Sequence, residues 1–478
     1  MDFRAFLKIL WMLAIPAGLA SQSVSISPEI YIKNDFAYYV LSHPDGTTSL
    51  LRDKSFRLIL QTLRSDFSWS AEKSIELKGN KWRILEVLAD SNDIDIFYIS
   101  RSEEHYVLMK SSYSAQGELL DQRELFSGLA GTALKEYSVY RSSNEQWVGI
   151  RFEDVKGEDG FLLFHRGHDS TICMLPEKQL LGDGEDAFEF QDLVLSNAGS
   201  VFVYVRQQGV ETKKHRLGHS LLRFDPPEGP VRRAILPLES GSVHRLVLRI
   251  DDRNHRALLA GLYAENPSRN PQGYLFYAVD ADHHVVAAAK IPYSEMLTAE
   301  WKGNIKDAEW REGTLKLRDV VLTHSGGGLL LFEHTREMSR RPYFSTIDPG
   351  LSTAARWYDF YFDDILAVSL DGDGRLLWER VLRKRQYSQD DDGIFSSFYT
   401  FRTEALLRLI FNDAVQSEGT VSEYLLKPNG DNIRKSVLNT SYKNLSLRFR
   451  DAISLDAQKL LVPSEHNGKL RLVRIAFD

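Results

Sequence analysis

The chain has 478 residues, 43% hydrophobic and 26% charged, which supplies an extensive core and excludes disorder over most of its length. Its 59 Lys and Arg against 66 Asp and Glu give −7, which argues against a general nucleic-acid binder. A single cysteine, Cys173, excludes an intramolecular disulfide framework and a cysteine-rich zinc site.

The chain begins with basic Arg4 and Lys8, then an apolar run from Ile9 to Ala20 with small residues at Gly18 and Ala20. This pattern predicts a signal peptide over residues 1–20 and a mature chain starting near Ser21. The run falls short of the roughly 20 residues needed to span a bilayer, and no later stretch approaches that length. The expectation is an exported protein, periplasmic or extracellular, with no transmembrane segment in the mature chain.

From about residue 30 onward, apolar runs of four to eight residues alternate with turns rich in Asp, Asn, Gly and Pro. In chain order, RILEVLADSNDIDIFYIS (Arg83 to Ser100) precedes a hairpin from His105. YSVYRSSNEQWVGIRF (Tyr137 to Phe152) precedes one from Gly160, and DLVLSNAGSVFVYVR (Asp192 to Arg206) one from Ser220. RLVLRIDDRNHRALLAGLYA (Arg245 to Ala264) precedes one from Tyr274, and DVVLTHSGGGLLLFEH (Asp319 to His334) one from Ile365. Two hairpins make four antiparallel strands, and from the turn at Gly117 to that at Gly167 the period is about fifty residues. Four-stranded units at this spacing predict an all-β fold, a β-propeller of four-stranded antiparallel blades, as a single domain over residues 21–478. The last stretch offers three strands with a tight turn at Asn467-Gly468. The missing strand is expected from Glu29 to Lys33 or Phe36 to Leu41, so that N- and C-terminal strands close one blade. The favoured count is seven blades, with the N-terminal hairpins merged with the last blade, and eight is the alternative if they do not merge.

In SLDGDGRLLWERVL, Asp371, Gly374 and Trp378 resemble the Asp-turn-Gly-strand-Trp pattern of quinoprotein-type propeller repeats, with a turn one residue shorter. The pattern occurs convincingly once. The chain also resembles a group of uncharacterised exported propellers of Bacteroidetes-type bacteria, chiefly through Asp363 to Phe398. That resemblance implies export and a propeller fold, and implies no activity.

No GxSxG, GxxxxGK[ST] or HExxH motif is present. The glycines of Ser325 to Leu331 read as a hairpin turn. His283 and His284, adjacent in a strand, are expected on opposite faces. Asp371 and Asp373 begin a calcium-type pattern that Arg375 breaks, and Asp183 to Asp186 reads as a solvated loop. Asp251-Asp252, Asp363-Asp364 and Asp390 to Asp392 read as surface turns, although glycosidases use paired carboxylates and the sequence leaves open which acids meet at the axis. Cys173, among apolar neighbours, reads as a buried small hydrophobe. No metal and no cofactor is expected.

These observations favour a non-catalytic exported scaffold that binds a protein or a glycan of the cell envelope. The alternatives are a secreted enzyme acting on carbohydrate and a quinoprotein-type oxidoreductase. The link from Arg383 to Phe398 is expected to cross one face, turning Arg383, Arg385 and Tyr387 toward the axis beside Asp390, Asp391 and Asp392. Arg340, Arg341, Trp357 and Tyr358 lie in the longest insertion, Thr335 to Asp363, which is expected to share that face. The competing reading is that the opposite charges of the link pair with each other and hold it.

Overall fold

The computed structural model describes residues 22–54, 57–79, 81–90, 93–102, 105–129, 134–154, 159–167, 171–176, 181, 188–207, 218–237, 242–265, 270–302, 314–340, 357–403, 406–415, 419–441 and 444–477. The expected leader, Asp183 to Asp186 and Arg341 lie outside the described residues.

The strands form eight antiparallel sheets in chain order, which make a β-propeller. Blade one is Ala37–Ser42, Thr48–Asp53, Leu58–Leu63 and Lys73–Ile75. Blade two is Trp82–Ala89, Asp93–Ser102, His105–Ser114 and Leu119–Leu129. Blade three is Leu134–Arg141, Trp147–Asp154, Asp159–His165 and Thr171–Pro176, and blade four is Phe188–Leu195, Val201–Gln207, His219–Phe224 and Arg232–Leu236. Blade five is Ser242–Asp251, Arg256–Ala264, Gly273–Val279 and Val285–Pro292, and blade six is Thr314–Leu322, Gly328–Arg340, Trp357–Leu370 and Leu376–Leu382. Blade seven is Phe398–Arg402, Leu407–Asn412, Thr420–Leu426 and Asn432–Asn439. Blade eight joins Ile453–Ser454, Lys459–His466 and Lys469–Ala476 to Ser23–Ile26 from the other end of the chain. Eight is the larger of the two counts the sequence allows, because residues 37–75 already complete a blade of their own. Phe36 to Leu41 therefore opens blade one, and the C-terminal strand is paired by Ile30–Tyr31, within the expected Glu29 to Lys33, and further upstream by Ser23–Ile26.

The middle strands are apolar on both faces, and successive residues serve two different neighbours. Leu258 and Ala260 pack toward blade six, whereas Leu259 packs toward blade four. Tyr274 and Phe276 again face blade six, and Leu275 and Tyr277 face blade four. A period of two with apolar residues at every position is what a sheet covered on both sides requires. Leu50 and Leu63 of blade one meet Leu461, Leu470 and Leu472 of blade eight, so the last interface closes the ring.

Closure is also hydrogen-bonded. Ser23 to Ile26 pair with Ala476 to Val473, and Ile30 and Tyr31 pair with Leu470 and Lys469. Glu29 takes Lys469 at 2.6 Å and also Arg471, and these two partners hold its carboxyl below the usual range.

Strand alternation puts the first-to-second and third-to-fourth turns of every blade on one face. Several share one form, with a left-handed residue such as Gly46, Gly199, Gly326, Gly374 or Gly430. The second-to-third and fourth-to-first connections lie on the opposite face. One contains a helix, Glu295–Lys302, capped by Ser294 Oγ accepting the Leu297 N–H at 3.0 Å. The strand-only expectation missed this helix, although a serine before a helix-forming run was its signal.

The third-to-fourth turn of one blade seats against the preceding blade. Gly430 (φ +84°) lies against the Trp378 ring, where a Cβ would come within 2.7 Å. The Trp378 indole N–H donates to the Pro428 carbonyl at 2.8 Å. Asp371 Oδ1 accepts the Asp373 and Arg375 N–H groups, and Gly374 rests on Phe276 and Ala289 of blade five. The motif Asp371, Gly374 and Trp378 thus works as a latch between blades. Gly46 shares the positive φ (+81°) but has open space where its Cβ would stand. Gly46→Ala is therefore expected to cost about 1 kcal/mol, the left-handed penalty alone, and Gly430→Ala about 3 kcal/mol. Chemical denaturation of the two variants measures the difference.

Candidate functional site: two cavities along the innermost strands

The first strands of neighbouring blades approach one another and line the axis. In blades two to six each of these strands carries one extra residue relative to its partner. The bulges fall between Ile84 and Glu86, Leu134 and Glu136, Phe190 and Asp192, Val243 and Arg245, and Leu317 and Asp319. A bulge re-aims the side chain that follows it, so Glu86, Glu136, Asp192, Arg245 and Asp319 occupy equivalent places. Glu86, Asp192 and Asp319 each accept the N–H of the next residue, at 3.2, 2.9 and 2.8 Å. Asp192 also accepts the Leu248 N–H of blade five at 3.1 Å. Sequence reading missed this series, yet its signal is present as ILE, LKE, FQD, VHR and LRD at those positions.

The larger cavity, about 1140 Å³, is lined by innermost strands of blades seven, eight, one, two and three. Tyr38, Tyr39, Glu86, Arg141, Glu145, Tyr399, Arg448 and Glu465 line it. Some of these hold the wall together. Arg448 Nη1 donates to Glu465 at 2.7 Å and to the Tyr38 hydroxyl at 3.0 Å. Tyr399 and Ser454 share a 3.0 Å hydrogen bond. Glu86 and Tyr39 face the cavity with less support. Burial pushes the Glu86 carboxyl up, against the pull of Arg141. Burial, with the charges of Asp53, Tyr137 and Glu86, pushes the Tyr39 hydroxyl up to about 12.

A second cavity of about 380 Å³ lies along blades four, five and six, lined by Arg206, Arg245, Arg249, Arg318, Asp192, Tyr204 and His219. The Tyr204 hydroxyl and His219 Nδ1 share a 2.7 Å hydrogen bond, with their rings stacked at 5.9 Å. His219 is 4% exposed. Burial, reinforced by Arg206, pushes its imidazole down to about 4, so the ring is neutral at neutral pH.

Of the residues expected to bind, Tyr358, Arg383, Arg385, Tyr387, Asp390, Asp391 and Asp392 line neither of these cavities among the described residues. Gln386 to Gln389 pair with Phe362 to Asp359, so the link first continues the outer edge of blade six before it turns toward blade seven. Arg383 pairs with Asp364. Arg385 is exposed, and the Tyr387 hydroxyl donates to Asp359 at 3.0 Å. Asp390 Oδ1 accepts the Tyr358 N–H at 2.7 Å, Asp391 accepts the Gly393 N–H at 2.9 Å, and Asp392 is exposed in that turn. Arg340 and Trp357 are partners in the strand pair leading into the insertion, and their side chains are outside the described set. The cation that matters for the link is Lys384, which the sequence reading did not select. Its ammonium meets Glu333 at 2.8 Å with both side chains fully buried. Glu333 also accepts from Arg318 at 2.8 Å and Ser397 at 2.7 Å.

His283 and His284 sit in a turn, not a strand. His283 is buried with φ +69° and bonds the Leu221 carbonyl oxygen at 2.9 Å. Burial pushes the Cys173 thiol up to about 11, which leaves it a poor nucleophile. Among the described residues no three His, Cys, Asp or Glu side chains gather as metal ligands. No described helix is long and apolar enough to cross a membrane.

No family model matches the chain, and no curated protein does. Among solved structures, the chain is similar to the polysaccharide lyase Uly1 at 10% identity and a TM-score of 0.42, covering 95% of this chain and 100% of that one. It is similar to the Nup133 β-propeller domain of Vanderwaltozyma polyspora at 12% identity and 0.38, covering 84% and 100%. It is similar to the β-propeller domain of the Trilobed protease from Pyrococcus furiosus at 8% identity and 0.39, covering 85% and 97%. These likenesses are of architecture.

Two outcomes follow from the ionisable groups. Lys384→Met leaves Glu333 buried with one partner fewer and is expected to cost about 3–5 kcal/mol, against less than about 0.5 kcal/mol for Arg385→Ala. Urea denaturation of both variants checks this. For His219 the folded pKa lies below the unfolded one, so the unfolded chain binds more protons between pH 6.5 and about 4, and stability falls as pH drops through that window. His219→Gln is expected to remove about 2 kcal/mol of the loss between pH 7 and pH 5, read from melting curves of both proteins.

Proposed function

We propose that this chain is an exported binding propeller that holds a saccharide of the cell envelope in the larger axial cavity. The observation that carries the reading is the composition of that cavity. At about 1140 Å³ it lies slightly above the roughly 300–1,000 Å³ of small-molecule sites. Tyrosine rings, carboxylates and guanidinium groups alternate around it, an arrangement suited to a ligand with apolar faces and many hydroxyls. A protein partner is better served by a flatter surface with an apolar centre. The carboxylates Glu86, Glu145, Asp451 and Glu465 oppose a nucleic acid. Export rests on the leader expected over residues 1–20. The edge carrying Arg385 and Tyr387 acts here as support, through the buried Lys384 beside it.

A carbohydrate-active enzyme is the second reading, supported by Glu86, whose carboxyl is raised as a general acid requires. Titration calorimetry against peptidoglycan fragments and envelope oligosaccharides tests the proposal. Tyr39→Ala is expected to weaken the best ligand about tenfold or more, with Tyr387→Ala within twofold of wild type. Unchanged affinity in Tyr39→Ala, or no saccharide bound at all, rejects it. Glu86→Gln separates the readings: retained binding with lost turnover favours the enzyme.

A further inference from the structure

We infer that the second cavity is a binding site for an oxyanion, a sulfate, phosphate or carboxylate group carried on a larger ligand. The protein as a whole carries −7, yet this concavity is cationic. Arg206, Arg245, Arg249 and Arg318 line it, with Asp192 as the one acid in the lining. Both oxygens of Asp192 accept backbone N–H groups, those of Leu193 and Leu248, while its carboxyl also feels the charges of Arg249 and Arg245. Arg206 is neutralised by Glu189. Arg318 shares Glu333 with Lys384. Counted with the neighbouring Glu189, Glu333 and Lys384, five cations face three carboxylates, one positive charge in excess around Glu333 and one around Asp192. Arg245 and Arg249 line the cavity together. They lie four residues apart on one strand, so both point the same way, and the bulge at Val243 to Arg245 turns Arg245 toward the axis. A guanidinium fork matches a tetrahedral or planar oxyanion with two parallel N–H donors. At the floor, Tyr204 ties up His219 Nδ1, so the neutral ring is fixed in orientation with its Nε2 turned away from that bond.

The test is affinity electrophoresis and calorimetry of the full chain with dextran sulfate, polygalacturonate and unmodified dextran. Wild type is expected to bind a polyanion at least tenfold more tightly than dextran, with affinity falling as salt rises. Preference for dextran sulfate assigns the site to a sulfate or phosphate ester, and preference for polygalacturonate assigns it to a carboxylate. Arg245→Ala, at an exposed position, is expected to keep its melting temperature and lose at least tenfold in polyanion affinity, and Arg249→Ala to do the same. Tyr387→Ala, which lines neither cavity, is expected to bind polyanion within twofold of wild type. Equal binding of dextran and both polyanions, full affinity in Arg245→Ala and Arg249→Ala, or equal loss of polyanion in Tyr387→Ala overturns the assignment. The saccharide reading of the larger cavity stands or falls on Tyr39→Ala with neutral ligands, so the two readings fail separately.

Discussion

Everything in this molecule depends on sheets that are apolar on both faces. A strand such as Arg256–Ala264 sends Leu258 and Leu259 in opposite directions, and each needs a neighbouring sheet to cover it. An open stack of such sheets would leave two uncovered faces at its ends. Joining the ends removes both, and blades eight and one do so through Leu461, Leu470 and Leu472 against Leu50 and Leu63. The ring is therefore the cheapest way to bury the apolar runs, and the strand from the N-terminal end stitches it shut.

Charges are placed at the junctions this packing creates. Asp95 of blade two takes Lys110 at 3.1 Å and Arg166 of blade three at 2.8 Å. Glu333 of blade six takes Lys384 and, through Ser397, the entry to blade seven. Such pairs add little net stability over an apolar packing, but an unpaired member is costly. They fix which blade edge meets which. The same requirement holds the link from Arg383 to Phe398 in place, since its buried Lys384 and Gln386 are both bonded. Gln386 donates to the Asn412 carbonyl at 2.6 Å and accepts from Ser397 N–H at 2.7 Å.

Much of the fold was legible because its signal is local. Apolar runs of four to eight residues, turns such as Asp371 to Arg375 and Asn429-Gly430, and a period near fifty are all read within one blade. What a local reading handled less well were features that join distant segments. The strand Ser23–Ile26 is short and unremarkable until Lys469–Ala476 is beside it. Lys384 looks like one of three basic residues in a row, and only its partner Glu333, far upstream, sets it apart from Arg383 and Arg385.

The site was illegible for a related reason, and the structure shows how to read it. Tyr39, Glu86 and Arg141 do not form a motif along the chain, because each belongs to the innermost strand of a different blade. In a ring, residues that meet at the axis are separated in sequence by whole repeats. Their signature is one position followed down successive blades, not neighbours within one. Glu86, Glu136, Asp192, Arg245 and Asp319 make this concrete, since the same bulge places all five. The change from acid to arginine at the fourth place coincides with the cationic cavity of blades four to six, and the flanking acids belong to the other side of the axis or to backbone bonds. The charge along the axis is thus encoded in how the repeats differ at one register position, while the fold is encoded in how they agree.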